Sequence, residues 1–358
     1  MTLVPLFGHA AIRQRLQSAV DRGTLPASLL LHGPAGVGKQ RLALWLGQRL
    51  LCDGASPRPC GTCQQCRYAL AGTHPDLHWI FPRPRPKDSD ASAADVEADY
   101  GEAIAERLET HGLYAPPDGT EGIYVATVRA IVHAAALAPA LAARKVFVIG
   151  DAERMVSQEG SDQAANAFLK LLEEPPGNTN IVLTSSEPGA LLPTIRSRVI
   201  ALRVPRLTDA DMAAFLDHEA VRAHLDTLSL PRDRADRLRL ANGAPGALLA
   251  QSAMDQALAR ARRLLDAATG GDRAARIRAA FVQGSSGARG EFSDALQALT
   301  LLLHERARAA VDRDDQAAAL GASRAADAVE RAKVLAAGNA NPQLVTFTLL
   351  RELETTLR

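Results

Sequence analysis

Nine residues, HGPAGVGKQ at positions 32–40, place three glycines before a lysine in the spacing of a phosphate-binding loop. In such a loop, backbone N–H groups wrap around a phosphate at the start of a helix, where the helix dipole favours an anion. Gly33, Gly36 and Gly38 permit that curvature, and Lys39 is placed to reach the β and γ phosphates. The pattern therefore predicts a phosphate site, with an ordinary glycine turn as the alternative.

The loop departs from the hydrolytic pattern at its last position. A Ser or Thr normally follows the lysine and coordinates Mg²⁺, but Gln40 stands there. The apolar run KVFVIGDAE at 145–153 should supply an acidic pair for the metal and the attacking water. Its first acidic position holds Gly150 and its second holds Asp151. Because a hydroxyl and a carboxylate ligand are both missing, we expect little or no intrinsic ATP hydrolysis, and ATP or ADP bound without turnover is compatible with the loop.

The four cysteines of the chain form a second group with possible chemistry. They lie within 15 residues as C-x7-C-x2-C-x2-C, at Cys52, Cys60, Cys63 and Cys66. Four thiolates are a common ligand set for tetrahedral Zn²⁺, and one C-x2-C turn can supply two of them. We therefore expect a closed, structural Zn²⁺ site. An iron–sulfur cluster is the alternative, and redox disulfides are a weaker one.

Composition narrows the classes of function. The chain has 358 residues, of which 47% are hydrophobic, and a formal net charge of +1. A global attraction to nucleic acid is therefore not expected. No apolar stretch approaches the roughly 18–20 residues that span a bilayer, and the N-terminus lacks the pattern of a signal peptide. We expect a cytoplasmic protein of two or three domains without a membrane contact.

Short apolar runs alternate with helical patterns over the first two hundred residues. Such alternation predicts an α/β fold with a parallel sheet. After Pro205 the strand patterns end and only helical patterns continue. The strand candidates are 25–33, 77–81, 145–155, 180–186 and 200–204.

We predict three domains from these patterns. A P-loop-type α/β domain covers 1–204, with the cysteine module at 52–66 and an exposed, flexible insertion at 82–122 that holds at most one loose helix. A small helical domain covers 205–251, and an all-α C-terminal domain covers 252–358.

The order of the motifs resembles that of the bacterial clamp-loader subunits of DNA polymerase III, which belong to the AAA+ class. The resemblance covers most of residues 1–250, and it implies an AAA+ sheet domain with an inserted zinc module, a helical lid domain and a C-terminal collar domain for oligomerisation. It is carried by GPAGVGK at 33–39, the four-cysteine module, THPD at 73–76, NAFLKLLEEPP at 166–176 and TIRSR at 194–198.

The resemblance also implies roles for individual residues. In this family a serine–arginine motif projects its arginine into the nucleotide site of the adjacent subunit, and Ser197–Arg198 matches it, with Val199 in place of the usual cysteine. The hydrolysing motor subunits keep a lid arginine where this chain has Gly246. The resemblance thus implies a non-hydrolysing stator whose Arg198 acts as an arginine finger. From the residues alone, a surface ion pair is the alternative, and Arg196 is a competing candidate.

The implied partners are the motor and delta subunits of the clamp loader, the sliding clamp, and primer–template DNA reached through the complex. The chain would then serve a DNA-directed DNA polymerase holoenzyme without ATPase or polymerase activity of its own. Two alternatives stay open. One is an active AAA+ ATPase motor subunit, and the other is a zinc-dependent nucleic-acid-binding module, for which Arg58 and Arg67 flank the cysteines. An ATPase assay tests the first, and the salt dependence of DNA binding tests the second.

Overall fold

The computed structural model of the chain describes residues 1–86, 91–117, 121–155, 162–270, 273–282, 289–337 and 341–357. The chain forms two compact units. One is built from Met1–Pro116 and Gly122–Ala250, and the other is built mainly from Gln251–Arg358. In the part of the chain that is described, no helix is long and apolar enough to cross a membrane.

A parallel sheet organises the first unit. Its described strands are β1 (Ser28–His32), β2 (Leu77–Ile80), β3 (Lys145–Ile149), β4 (Thr179–Ser185) and β5 (Ile200–Arg203). Their order across the sheet is β2-β3-β4-β1-β5, and every neighbouring pair is parallel. All residues of β3 and β4 are buried, as expected for the continuous apolar runs of a parallel sheet that is covered by helices. The predicted α/β fold with a parallel sheet is confirmed.

Helices occupy most of the remaining described chain, and each strand-to-strand connection contains at least one of them. Helix α2 (Lys39–Leu51) packs its apolar side chains against the sheet, where Leu42 and Leu46 have no solvent exposure. In the first unit the helices are α1 (Ala10–Asp21), α2 (Lys39–Leu51), α3 (Gln64–Leu70), α4 (Ala93–Glu109), α5 (Val125–Ala136), α6 (Asp162–Glu173), α7 (Pro193–Arg196), α8 (Asp209–Asp217), α9 (Glu219–Leu225) and α10 (Arg234–Ala241). They are followed by α11 (Gly246–Thr269), α12 (Arg273–Val282), α13 (Arg289–Asp312), α14 (Gln316–Ala337) and α15 (Pro342–Leu357).

The segment 82–122 differs from the exposed insertion with a loose helix that its composition predicts. It contains α4, a helix of 17 residues that begins at a capping box formed by Ser92 and Asp95. One face of α4 is buried, because its few large side chains recur at helical spacing among the alanines and acidic residues. The buried residues are Val96, Tyr100, Ala103 and Leu108. Two parts of the predicted insertion, 87–90 and 118–120, lie outside the described residues.

The THPD motif anchors the loop that precedes β3. Asp76 has no solvent exposure, and its carboxylate accepts the backbone N–H groups of Ala140, Leu141 and Ala142 at 2.6–2.8 Å. Burial acts to raise the pKa of Asp76, but these hydrogen bonds outweigh it and hold the pKa below its ordinary value. The motif is therefore a structural device that ties the start of β2 to the neighbouring loop.

Replacing Asp76 with Asn is expected to lower the free energy of unfolding by about 2–3 kcal/mol, because the charge is lost and an amide N–H faces a backbone donor. Folding lowers the pKa of Asp76, so its ionised carboxylate stabilises the folded chain. This contribution to stability is complete above a pH of about 4 and is lost as the pH falls through the pKa of Asp76 in the folded state. Urea unfolding at several pH values measures both effects. The control Asp217→Asn removes an exposed ion pair with Arg234 and should cost less than about 1 kcal/mol. Equal losses for the two variants would contradict this role.

Candidate functional site

The predicted phosphate loop lies between β1 and α2, the position that the motif requires. Gly36 and Gly38 have φ values of 75° and 90°, in the left-handed region that favours glycine. A Cβ atom on Gly33 would lie 2.1 Å from the carbonyl oxygen of Val204. The glycines are therefore needed for the curvature of the loop and for its close approach to the chain after β5.

The side chain of Lys39 is bound to the loop itself. Its Nζ donates to the carbonyl oxygens of Gly33 and Pro34, at 3.0 and 2.8 Å, and to Oγ of Ser186 at 2.9 Å. Burial lowers the pKa of Lys39, and two nearby carboxylates oppose that shift. All three ammonium protons thus have acceptors within the chain.

A backbone contact closes another side of the loop. The N–H group of Gly246 donates to the carbonyl oxygen of Gly36 at 2.9 Å. A Cβ atom on Gly246 would lie 2.6 Å from Cα of Gly36, so a side chain at this position would force the two backbones apart. Gly246, the residue that the resemblance aligns with a lid arginine, is therefore in direct contact with the loop.

The side chain of Gln40 fills the space beside Gly150. Its Nε2 donates to Oδ2 of Asp151 at 2.9 Å, and its Oε1 accepts from Nε1 of Trp79 and from the hydroxyl of Tyr114, each at 3.0 Å. A Cβ atom on Gly150 would lie 2.4 Å from Cδ of Gln40. Gln40 and Gly150 are thus sterically complementary, since the amide occupies the volume that a side chain at position 150 would need.

The network around this amide is partly buried and carries charge. Burial raises the pKa of Asp151, Glu153 acts in the same direction, and Lys39 opposes both. The guanidinium of Arg107, on α4, lies 3.7 Å from the ring centroid of Tyr114 and also opposes the shift at Asp151. Burial raises the pKa of Tyr114 to about 12, so its hydroxyl stays protonated as a donor.

The residues at this position do not fit Mg²⁺. Mg²⁺ requires about six oxygen ligands at 2.0–2.1 Å in octahedral geometry. The side-chain oxygen of Gln40 already accepts two hydrogen bonds, and Oδ2 of Asp151 accepts one from the amide nitrogen of Gln40. Both oxygens that could bind a metal here are therefore engaged in hydrogen bonds within the chain. Trp79, Tyr114 and Arg107 belong to no phosphate-loop motif, and the sequence carries no local signal that assigns them to this site.

The structure brings the four cysteines of the predicted metal module together. Their Sγ atoms all lie within 4.8 Å of one another. The separation is 3.9 Å between Cys52 and Cys63, and 4.0 Å between Cys60 and Cys66. Two sulfur atoms bound tetrahedrally to one Zn²⁺ at 2.3 Å are about 3.8 Å apart, whereas a disulfide requires about 2.05 Å. The group therefore fits a single tetrahedral ion and does not form disulfides.

Backbone hydrogen bonds to the cysteine sulfur atoms also favour the binding of a cation by this module. The N–H groups of Cys60, Cys63 and Cys66 each donate to the sulfur of the preceding cysteine in the group, at 3.3–3.4 Å. Such bonds lower the pKa of Cys60 to about 6, whereas burial raises the pKa of Cys66. Four adjacent thiolates repel one another, so a bound cation is needed to deprotonate all four. Zn²⁺ held there would cross-link the loop after α2 to the start of α3.

We expect about one Zn²⁺ per chain by elemental analysis. The variant Cys63→Ser should lose most of the metal and unfold at a lower urea concentration, because a structural site contributes its binding free energy to folding. The control Gln64→Ala changes the exposed neighbouring residue and should keep the metal. Iron with visible absorbance, or a metal-free chain of unchanged stability, would contradict the zinc prediction.

Arg198 lies just after α7, and its partners belong to the chain itself. Its Nη2 is 2.6 Å from Oε1 of Glu173, and its Nη1 donates to the carbonyl oxygen of Thr194 at 2.8 Å. None of its partners among the described residues belongs to the phosphate loop. The competing candidate Arg196 is exposed, and within the described part of the chain its side chain makes no hydrogen bond or ion pair. Glu173 belongs to the NAFLKLLEEPP motif at 166–176, and the sequence does not indicate that it forms an ion pair with Arg198.

Comparison with known proteins places the chain in a family. The family model described as DNA polymerase III, delta subunit, matches residues 8–208. DNA polymerase III subunit delta′ of Pseudomonas aeruginosa is 34% identical over 177 residues, which cover 49% of this chain and 42% of that protein. Subunit delta′ of Escherichia coli K12 is 28% identical over 238 residues, 66% of this chain and 58% of that protein. The chain spans about half the length of the curated relatives it matches.

The solved structure of a DNA polymerase III gamma subunit-related protein from Thermotoga maritima aligns with 96% of this chain and 99% of its own, at 17% identity and a TM-score of 0.43. The family match, in contrast, covers more than half of the 358 residues and agrees with the delta′ relatives. The chain therefore belongs to the DNA polymerase III delta subunit family, a family of clamp-loader-related subunits, as the resemblance of its motifs predicted.

Proposed function

We propose that this chain is a non-hydrolysing stator subunit of the DNA polymerase III clamp loader. The observation that carries the proposal is the amide of Gln40, which fills the space beside Gly150 and is held there by three hydrogen bonds. Phosphoryl transfer depends on a metal that bridges the phosphates and neutralises the developing charge. We infer that a chain whose own side chains occupy that position does not assemble such a metal centre.

The contacts of the phosphate loop support the same proposal. A triphosphate bound by Lys39 must displace the hydrogen bonds of that side chain to its own loop, and the backbone of Gly246 is held against Gly36 of the same loop. A nucleotide that does enter meets no complete metal site. We infer that ATP or ADP is at most held here, without turnover.

The chemistry that the chain serves then takes place in a neighbouring subunit. We propose that Arg198 projects into that neighbour's nucleotide site, where a guanidinium can neutralise charge spread over the γ phosphate. The helices of 205–251 would act as the lid, and those of 252–358 as the collar that joins the motor and delta subunits. The assembled complex would place the sliding clamp on primer–template DNA.

The proposal predicts that the purified chain shows no Mg²⁺-dependent ATP turnover above background, with a motor subunit as the positive control in the same assay. In the reconstituted loader, Lys39→Ala should change the ATPase rate by less than about twofold, because the lysine serves no catalytic site. Strong turnover by the isolated chain that disappears in Lys39→Ala would overturn the stator role.

A further inference from the structure

Glu173 ends α6 and makes a contact that the stator role does not explain. Its Oε1 lies 2.6 Å from Nη2 of Arg198. The other terminal nitrogen of Arg198, Nη1, donates to the carbonyl oxygen of Thr194 at 2.8 Å and to Oγ of Ser197 at 3.2 Å. A carboxylate at the end of α6 and two oxygens, one in α7 and one at its C-terminal end, therefore hold Arg198 against its own chain.

This arrangement leaves part of the guanidinium unsatisfied. Nε of Arg198 is buried without a hydrogen-bond partner among the described residues, and the side chain as a whole is 27% exposed. A buried donor without an acceptor is unfavourable, and a new acceptor would relieve that penalty. The retracted position is thus stabilised by one ion pair and weakened by one unpaired donor.

We propose that Glu173 is a positioning residue that holds Arg198 withdrawn in the free subunit, and that the triphosphate bound to a neighbouring subunit takes the place of this carboxylate. The inference rests on the proposed function of Arg198 as an arginine finger. A triphosphate carries more negative charge than one carboxylate and offers more oxygen acceptors. The exchange is therefore favourable only when a neighbour presents its nucleotide, so the finger engages in the loaded ring and not before.

The strength of the contact suits a displaceable hold. The side chain of Glu173 is 47% exposed, and an exposed ion pair changes an equilibrium by a factor of about two to five. Glu174 provides a matched control, because it is the next residue, carries the same charge, is exposed, and makes no side-chain ion pair in the described part of the chain. Arg196 provides an internal reference for an exposed arginine close by.

The first test uses the free chain and does not depend on clamp loading. Arginines are labelled with phenylglyoxal, and the rate at each is followed by peptide mass spectrometry. Arg198 should react more slowly than Arg196. Glu173→Gln should raise the rate at Arg198 about two- to fivefold without changing Arg196, and Glu174→Gln should change neither. Raising the salt concentration should move wild-type Arg198 toward the Glu173→Gln rate, because ions screen the pair. Equal Arg198 rates in the wild type and Glu173→Gln would overturn the proposal.

The second test uses the reconstituted loader at limiting concentrations of this subunit. Glu173→Gln should raise the ATPase rate about two- to fivefold, and the gain should vanish when Arg198→Ala is added. If the rate falls or stays unchanged in Glu173→Gln while Arg198→Ala still lowers it, the proposed role of Glu173 is overturned and the finger role of Arg198 stands. An Arg198→Ala complex with the wild-type rate would overturn the finger role and the inference that depends on it.

Discussion

Replacing Arg198 with alanine is expected to lower the rate of ATP hydrolysis at the neighbouring site by about 10³-fold, the lower end of the range for arginine fingers. In the proposed finger role, the guanidinium would neutralise charge that develops on the transferred phosphoryl group, and alanine would leave that charge without a partner. The rate is measured as the DNA- and clamp-stimulated ATPase of the reconstituted loader, with assembly of the complex checked by gel filtration.

Two further variants separate the finger role from a structural one. Arg198→Lys keeps the charge but loses the planar fork of donors, so an intermediate rate is expected. Arg196→Ala removes the exposed arginine two residues away and should leave the rate within about twofold of the wild type. An intact complex of Arg198→Ala with an unchanged rate would refute the proposed finger.

Gly150→Ala is expected to lower the free energy of unfolding by about 3 kcal/mol. The added Cβ atom would lie 2.4 Å from Cδ of Gln40, so the amide must move. Its hydrogen bonds to Asp151, Trp79 and Tyr114 are then lost or distorted, and each contributes about 1 kcal/mol. Urea unfolding of the purified chain measures the loss.

A double-mutant cycle tests whether this cost arises from Gln40. Gln40→Ser alone should destabilise the chain, because three polar groups in a partly buried network lose their partner. In that background, Gly150→Ala should cost less than about 1 kcal/mol, which gives a coupling of about 2 kcal/mol between the two positions. Additive effects would contradict the complementarity of Gln40 and Gly150. Gly101→Ala serves as a control, since a Cβ on that α4 residue meets nothing within 4 Å and should stabilise the helix slightly.

The features that the sequence predicts correctly are local in the chain. The strands contain short apolar runs, and the glycine-rich loop is a contiguous motif that lies between a strand and a helix, whereas its binding of phosphate stays a prediction. The cysteines of the metal module are also neighbours, so C-x2-C spacing alone predicts that their sulfur atoms meet. Each inference needs only short-range geometry, which neighbouring residues specify.

The insertion at 82–122 shows where local patterns fail. Alanine and acidic residues dominate this segment and predict that it is exposed to solvent, but a few large side chains fall on one face of α4. Whether that face is buried depends on what lies opposite it. The tertiary structure places Arg107 and Tyr114 from this segment beside the start of α2, where they complete the surroundings of Gln40.

By itself, the sequence determined that the chain carries a glycine-rich loop whose expected metal ligands are replaced by Gln40 and Gly150, a four-cysteine module and a parallel α/β sheet. Only the tertiary structure decided what takes the place of the missing ligands. The amide of Gln40 meets Trp79, Tyr114 and Asp151 across separations of 39, 74 and 111 residues, and Glu173 meets Arg198 from another helix. The physical reason is that hydrogen bonds and ion pairs depend on positions in space, and packing of the sheet and helices sets those positions for residues far apart in the chain.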